Sequence, residues 1–267
     1  MTTTIQPSVE VSASSAAGPA PARRLDDRRL AGIGGIAFAA TVLLTNALQG
    51  ATPAFDAPPN EVIEYLTERR GQSVFAVAAF AFGALPLMMF ASAFYSRLRS
   101  VARPSDVVWA RFGMIGALLI MPVFALVVVQ RLVLLAGSDE IIGSAELVAF
   151  VWRIEMAAFL INALPISAAV LGFGIAGSRS GLLPRWYRYW APVAATAGVV
   201  TAMTALAGLE GSPVGFLGVV PFLSWMALLL IGGSASSGRR EPDAGRPGAR
   251  PESDAAARTA TASGQFD

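Results

Sequence analysis

The sequence predicts an all-α, polytopic membrane protein: six transmembrane helices, with an outer interfacial helix between spans 1 and 2. Three observations predict it. Apolar stretches of about 20 residues recur along the chain, the length that crosses a hydrocarbon core of about 30 Å. Charged residues make up 14% of the chain and hydrophobic ones 54%. A soluble domain carries roughly 25% charged residues, so polar groups are too few for a fully wetted surface. Arginines also fall in alternate inter-span segments, as the positive-inside rule requires.

Residues 1–29 are rich in Thr, Ser, Ala and Pro, lack a helical apolar period, and read as a disordered cytoplasmic tail. The membrane domain covers residues 30–233. Its first span runs from Leu30 to Gln49. A cleavable signal peptide would need a shorter apolar core and a tidier cleavage site, so a retained span is expected. The polar stretch that follows suits a short interfacial helix, with Asn60 as its cap, Val62, Ile63 and Leu66 on one face, and Gly71 as its terminator. The second span extends from Ser73 to Tyr95 and the third from Val108 to Leu135. After a loop holding Asp139 and Glu140, the fourth ends near Ala176. Trp186, Tyr187, Tyr189 and Trp190 then interleave with arginines, the composition of an interfacial aromatic belt. The fifth span is Pro192 to Leu209 and the sixth Pro213 to Gly232. Residues 234–267, rich in Gly, Ser, Pro and charge, form a second disordered cytoplasmic tail.

All the basic residues are arginine, which points to a GC-rich bacterial genome, and they are unevenly placed. Arg23, Arg24, Arg28 and Arg29 precede span 1. Arg97, Arg99 and Arg103 follow span 2, and Arg179, Arg185 and Arg188 follow span 4. Five more arginines lie in the C-terminal tail. The opposite loops hold only Arg69 and Arg70. The expected location is therefore the cell membrane, with both termini cytoplasmic.

There is no cysteine and no histidine. Disulfides, thiolate catalysis, histidine proton relays and the usual zinc and haem ligands are thereby removed. No cofactor or metal is expected, nothing points to nucleic acid, and the case for an enzyme weakens.

Four residues near the outer boundary stand out: Gln130, Arg131, Arg153 and Glu155. Arg111 and Arg131 are twenty residues apart, about 30 Å along a helix, so each can sit at one interface. If the third and fourth spans form a hairpin with its tip near Ile142, Arg131, Arg153 and Glu155 share one depth. In one alternative, an Arg131–Glu155 pair locks the two helices together. In the other, two guanidiniums oriented by one carboxylate receive an anionic group. Apolar sequence continues past these charges, so the hairpin must tilt, project or pack against neighbours.

Pro86, Pro122, Pro165 and Pro221 lie inside spans and can kink them. Gly32 and Gly35, Gly172 and Gly174, and the stripe Ala194, Gly198, Ala202 suit close helix packing. Thr41, Thr45, Asn46, Asn162, Thr201 and Thr204 are the main uncharged polar groups in spans. They either line a small cavity or bond to nearby carbonyls. The elements Ala84-Leu85-Pro86 and Ala163-Leu164-Pro165, each followed by Ser-Arg, Pro and Trp-Ala, suggest that spans 2–3 and 4–5 are parallel repeats.

Three segments carry a resemblance: Glu61 to Gly71 (EVIEYLTERRG), Phe94 to Arg99 (FYSRLR) and Gly181 to Trp186 (GLLPRW). The chain resembles six-span integral membrane proteins of actinomycete-type bacteria that are grouped as a domain of unknown function. The resemblance covers about residues 25–235 and implies a six-helix membrane bundle. It implies no activity and no functional residues.

Three functions are weighed. A structural or regulatory component acting through a protein partner or as a homo-oligomer is favoured, since no continuous polar path runs through the spans. The alternative is binding or transport of a small amphiphile or lipid at the arginine cluster. A lipid-modifying enzyme ranks last, because Asp139, Glu140, Glu146 and Glu155 show no acid/base or metal-ligand spacing. Membrane lipids are the one partner expected in every case.

The orientation is testable because the natural chain lacks cysteine. An Asp139→Cys variant should react with an impermeant maleimide on intact cells. Reaction only after permeabilisation would invert the topology.

Overall fold

The computed structural model describes residues 27–137, 143–207 and 217–238. Among these residues the chain is all-helical. The helices are α1 (Asp27–Gln49), α2 (Pro59–Glu68), α3 (Arg70–Val101), α4 (Pro104–Ala136), α5 (Ala145–Ile161), α6 (Ala163–Arg179), α7 (Tyr187–Leu206) and α8 (Val219–Gly238). Four segments are long and apolar enough to cross a membrane: Arg29–Gln49, Arg70–Val101, Pro104–Ala136, and Ala145–Arg179, which is α5 and α6 taken together. Val219–Ser234 is apolar but shorter. Outward-facing side chains are apolar too, Phe82 being 74% exposed and Ile33 59%. A water-soluble monomer does not carry such a coat, and a membrane protein requires one.

The first helix pairs with α3 and α8; α4 pairs with α3 and α6, and α6 with α7. Contacts of α8 with α6 and α7 complete the packing. The main core runs through the middle, around Phe38, Phe90, Phe94, Phe173, Tyr187 and Trp225. Edge-to-face pairs such as Phe94–Phe173, with centroids 5.3 Å apart, knit α3 to α6.

Glycines bring the backbones together, as their spacing predicts. A Cβ on Gly113 would stand 2.6 Å from the backbone nitrogen of Phe173, and one on Gly116 2.5 Å from that of Ala169. Gly172 faces Gly113 and the Trp109 carbonyl from the other side. On α1, Gly34 meets the Pro86 carbonyl and Gly35 the Leu229 carbonyl, at 2.6 Å each. Only the absence of a side chain allows such approaches.

Several expectations are corrected. The interfacial helix starts on Pro59 with Pro58 as its cap residue, and Asn60 lies inside it without capping. Proline's fixed φ and missing N–H suit a first helical turn, so the Pro-Pro pair does the work assigned to Asn60. Gly71 does not end α2; it belongs to α3, which begins one residue after Arg69. Asp27–Arg29 and residues 234–238 are helical, so the first helix takes in the end of the expected N-terminal tail and the last helix the start of the C-terminal one; the rest of both tails lies outside the described residues. Pro221 is the third residue of α8, where no helical donor is lost, and not an interior kink. The start of the sixth span, the end of the fifth, and the loop with Asp139 and Glu140 lie outside the described residues. Trp186, Tyr189 and Trp190 are exposed as a belt requires, but Tyr187 is fully buried and donates to the Ser224 carbonyl.

The glycine contacts give a paired prediction. Gly172→Ala should destabilise by about 1–3 kcal/mol through overpacking. Gly71→Ala, with nothing within 4 Å of its Cβ, should stabilise by up to about 1 kcal/mol through helix propensity. Thermal unfolding in detergent compares the two, and equal shifts would refute the close packing.

Candidate functional site

The structure splits the four-residue cluster. On α5 the buried positions are Val148, Trp152, Glu155 and Ala158, spaced at three and four residues. Residues two apart lie about 200° apart around a helix, so Arg153 cannot share a face with Glu155. Arg153 is indeed exposed. Equal depth did not mean equal direction, and the two-guanidinium arrangement does not form.

What forms is a single lock. Arg131 Nε donates to both Glu155 oxygens, at 2.9 and 3.1 Å, and Nη2 also donates to Oε1. Both side chains are buried, Arg131 4% exposed and Glu155 0%. The guanidinium lies 5.1 Å from the centre of the Trp152 ring. Trp152 packs edge-on against Tyr65 of α2 and donates from Nε1 to the Ala54 carbonyl at 3.0 Å. Charge, ring and loop thus tie α4, α5 and α2 together. Gln130 is also buried, and neither its Oε1 nor Arg131 Nη1 has a hydrogen-bond partner among the described residues. The space at the pair is about 10 Å³, room for one water at most. No ligand of useful size fits there.

This packing also explains the excess length of the third and fourth spans. Leu134 and Leu135 of α4 and Val148 of α5 pack with Val62 and Leu66 of α2 in a second core. Arg69 and Arg70 are consumed as helix caps. Arg69 donates to the Gln49 carbonyl at the end of α1 (3.0 Å) and Arg70 to the Leu135 carbonyl at the end of α4 (3.1 Å). Cations at helix C-termini satisfy orphan carbonyls and oppose the dipole.

The room for a ligand lies deeper. A cavity of about 500 Å³ opens between α1, α3, α4, α5, α6, α7 and α8, within the size range of ligand sites. Phe38, Phe80, Phe124, Phe159 and Phe222 supply apolar walls, and no charged residue lines it. Its polar lining groups are Asn46, Asn162, Thr201 and the indole of Trp225. Most spend their donors locally: Asn46 Nδ2 on the Val42 carbonyl at 2.8 Å, Thr201 on the Ala197 carbonyl at 2.9 Å. Thr41, Thr45 and Thr204 likewise bond to their own helices. Two buried atoms of the lining residues are different. Asn162 Oδ1 and Trp225 Nε1 have no partner among the described residues.

Asn162 stands where the helix breaks. Pro165 has no N–H to give to the Ile161 carbonyl, and its ring clashes with that carbonyl in a continuous helix. The chain responds by ending α5 at Ile161 and restarting at Ala163. Pro86, by contrast, lies within a continuous α3. Phe159, Leu160, Asn162, Ala163 and Ile166 around the break all face the cavity. Of this site the sequence marks Pro165 and Pro221 as span prolines, and Asn46, Asn162 and Thr201 as polar groups that either line a small cavity or bond to nearby carbonyls. It gave no signal for Trp225, whose donor is stranded only by the packing of α8.

No family model matches the chain, nor does any curated protein or solved structure. Among the described residues no group of three or more His, Cys, Asp or Glu could hold a metal ion.

Removing one member of the buried pair leaves the other uncompensated. Arg131→Leu or Glu155→Leu should each cost about 3–5 kcal/mol, while the double variant should cost much less than the sum. A denaturation cycle in detergent measures the coupling, and additive costs would remove the lock.

Proposed function

We propose that this chain is a multi-pass protein of the cell membrane that holds a small neutral amphiphile in its interhelical cavity. The carrying observation is the cavity of about 500 Å³ whose lining residues include a buried unpartnered acceptor, Asn162 Oδ1, and a buried unpartnered donor, Trp225 Nε1. An unmet buried polar group costs about 1–3 kcal/mol, so a ligand hydroxyl that reaches either atom recovers part of that cost. The apolar walls suit an acyl or prenyl chain. The uncharged lining disfavours a carboxylate or phosphate head in this cavity.

The same proposal includes six spans. The four long segments supply four, and α7 and α8, of 20 residues each, are about 30 Å long and supply two more. An even number returns the chain to its starting side, in keeping with cytoplasmic tails at both ends. The six-span proteins that the sequence resembles share this arrangement. The arginine cluster, open above to a structural lock or an anionic-group site, is read here as the lock, and ligand binding moves to the cavity.

Purified protein should show saturable tryptophan quenching by a doxyl-labelled long-chain alcohol, and weaker quenching by the matching fatty acid. Val42→Phe, which fills the cavity, should abolish saturation. Asn162→Leu should weaken alcohol binding about tenfold, the equivalent of one hydrogen bond. Absence of saturable quenching in the natural protein would end the proposal.

A further inference from the structure

A second cavity, of about 460 Å³, lies at the other end of α6. It is about 24 Å from Asn162 along that helix at 1.5 Å per residue, and its chemistry is the opposite of the first. Four arginines line it: Arg103, the cap residue of α4; Arg179, the last residue of α6; Arg185, in the following connection; and Arg188, in the first turn of α7. One acid, Asp106, lines it with them. Asp106 is 5% exposed and accepts from Arg179 Nη1 at 2.8 Å. Arg188 turns to its neighbour, donating to the Tyr189 hydroxyl with its guanidinium 4.4 Å from the ring centre. Arg103 and Arg185 are exposed and have no acidic partner among the described residues.

Four guanidiniums and one carboxylate leave a net charge of +3 in one concavity. The positive-inside rule accounts for arginines at this end, and the fold gathers four of them around one concavity. A guanidinium fork matches phosphate oxygens bidentately. The bowl also sits beside Trp186 and Tyr189, 53% and 65% exposed, which are the side chains that favour the headgroup level of a bilayer. It opens on the face that the arginine distribution assigns to the cytoplasm, whose leaflet carries anionic lipid.

We propose that this bowl binds the phosphate of an anionic phospholipid headgroup, with Arg103 and Arg185 as its unpaired ligands and Arg179 held in place by Asp106. The site is independent of the cavity described above. In detergent, phosphatidylglycerol should raise the thermal midpoint of the full chain, and the effect should weaken with salt. Phosphatidylcholine and inorganic phosphate at equal concentration should not raise it. Arg103→Gln/Arg185→Gln should weaken phosphatidylglycerol binding at least about tenfold, whereas Arg153→Gln, on exposed α5, should leave it unchanged. An equal response to phosphatidylcholine overturns the proposal, and so does an unchanged response in the double variant. A full response to inorganic phosphate overturns the lipid assignment. If the double variant does not fold, native mass spectrometry of the natural protein decides. Retention of phosphatidylglycerol over phosphatidylcholine supports the site, and equal retention overturns it.

Discussion

A guanidinium and a carboxylate inside an apolar interior have to meet, because neither tolerates the interior alone. Arg131 and Glu155 are such a pair, and their meeting fixes much else. It sets the rotation of α5 about its axis, since Glu155 must face α4. Trp152, three residues earlier on the same face, is then delivered onto the guanidinium and against Tyr65. Tyr65 belongs to α2, so the short helix outside the main bundle is seated by the same event. Arg69 and Arg70 complete the seat by capping α1 and α4.

The proline at position 165 is the second constraint, and it acts in the opposite sense. Where the ion pair draws elements together, Pro165 forbids a continuous helix and leaves Asn162 between two helical segments. Thr41, Thr45 and Thr201 spend hydroxyl donors on carbonyls of their own helices. The Asn162 oxygen can only accept, and no donor among the described residues meets it.

Much of this was legible in the residues. Apolar length located α1, α3 and α4, and the broken α5–α6 segment, because length and composition are one-dimensional properties. The close-packing glycines at 35 and 172 and the meeting of Arg131 with Glu155 also follow from spacing along an axis. Azimuth does not. Counting along the axis sets Arg153 level with Glu155, but a rotation of about 100° per residue turns it to another face. The same rotation turns Tyr187 away from its exposed neighbours. The cavity was least legible, since its walls come from seven helices and a void has no residue of its own. The span residues Asn46, Asn162 and Thr201, readable from the sequence as lining a small cavity or bonding to nearby carbonyls, hinted at it.

Packing explains where the void lies. Toward the arginine-rich end, backbones nearly touch: Gly34 and Gly35 against α3 and α8, Gly113 and Gly116 against α6, Gly233 against Gly32. Toward the α2 end the void is lined by Phe38, Phe80, Phe124 and Phe222, with Phe80 and Phe124 stacked at 5.3 Å. It opens at the level of the helix break, beside Asn162, Ala163 and Ile166.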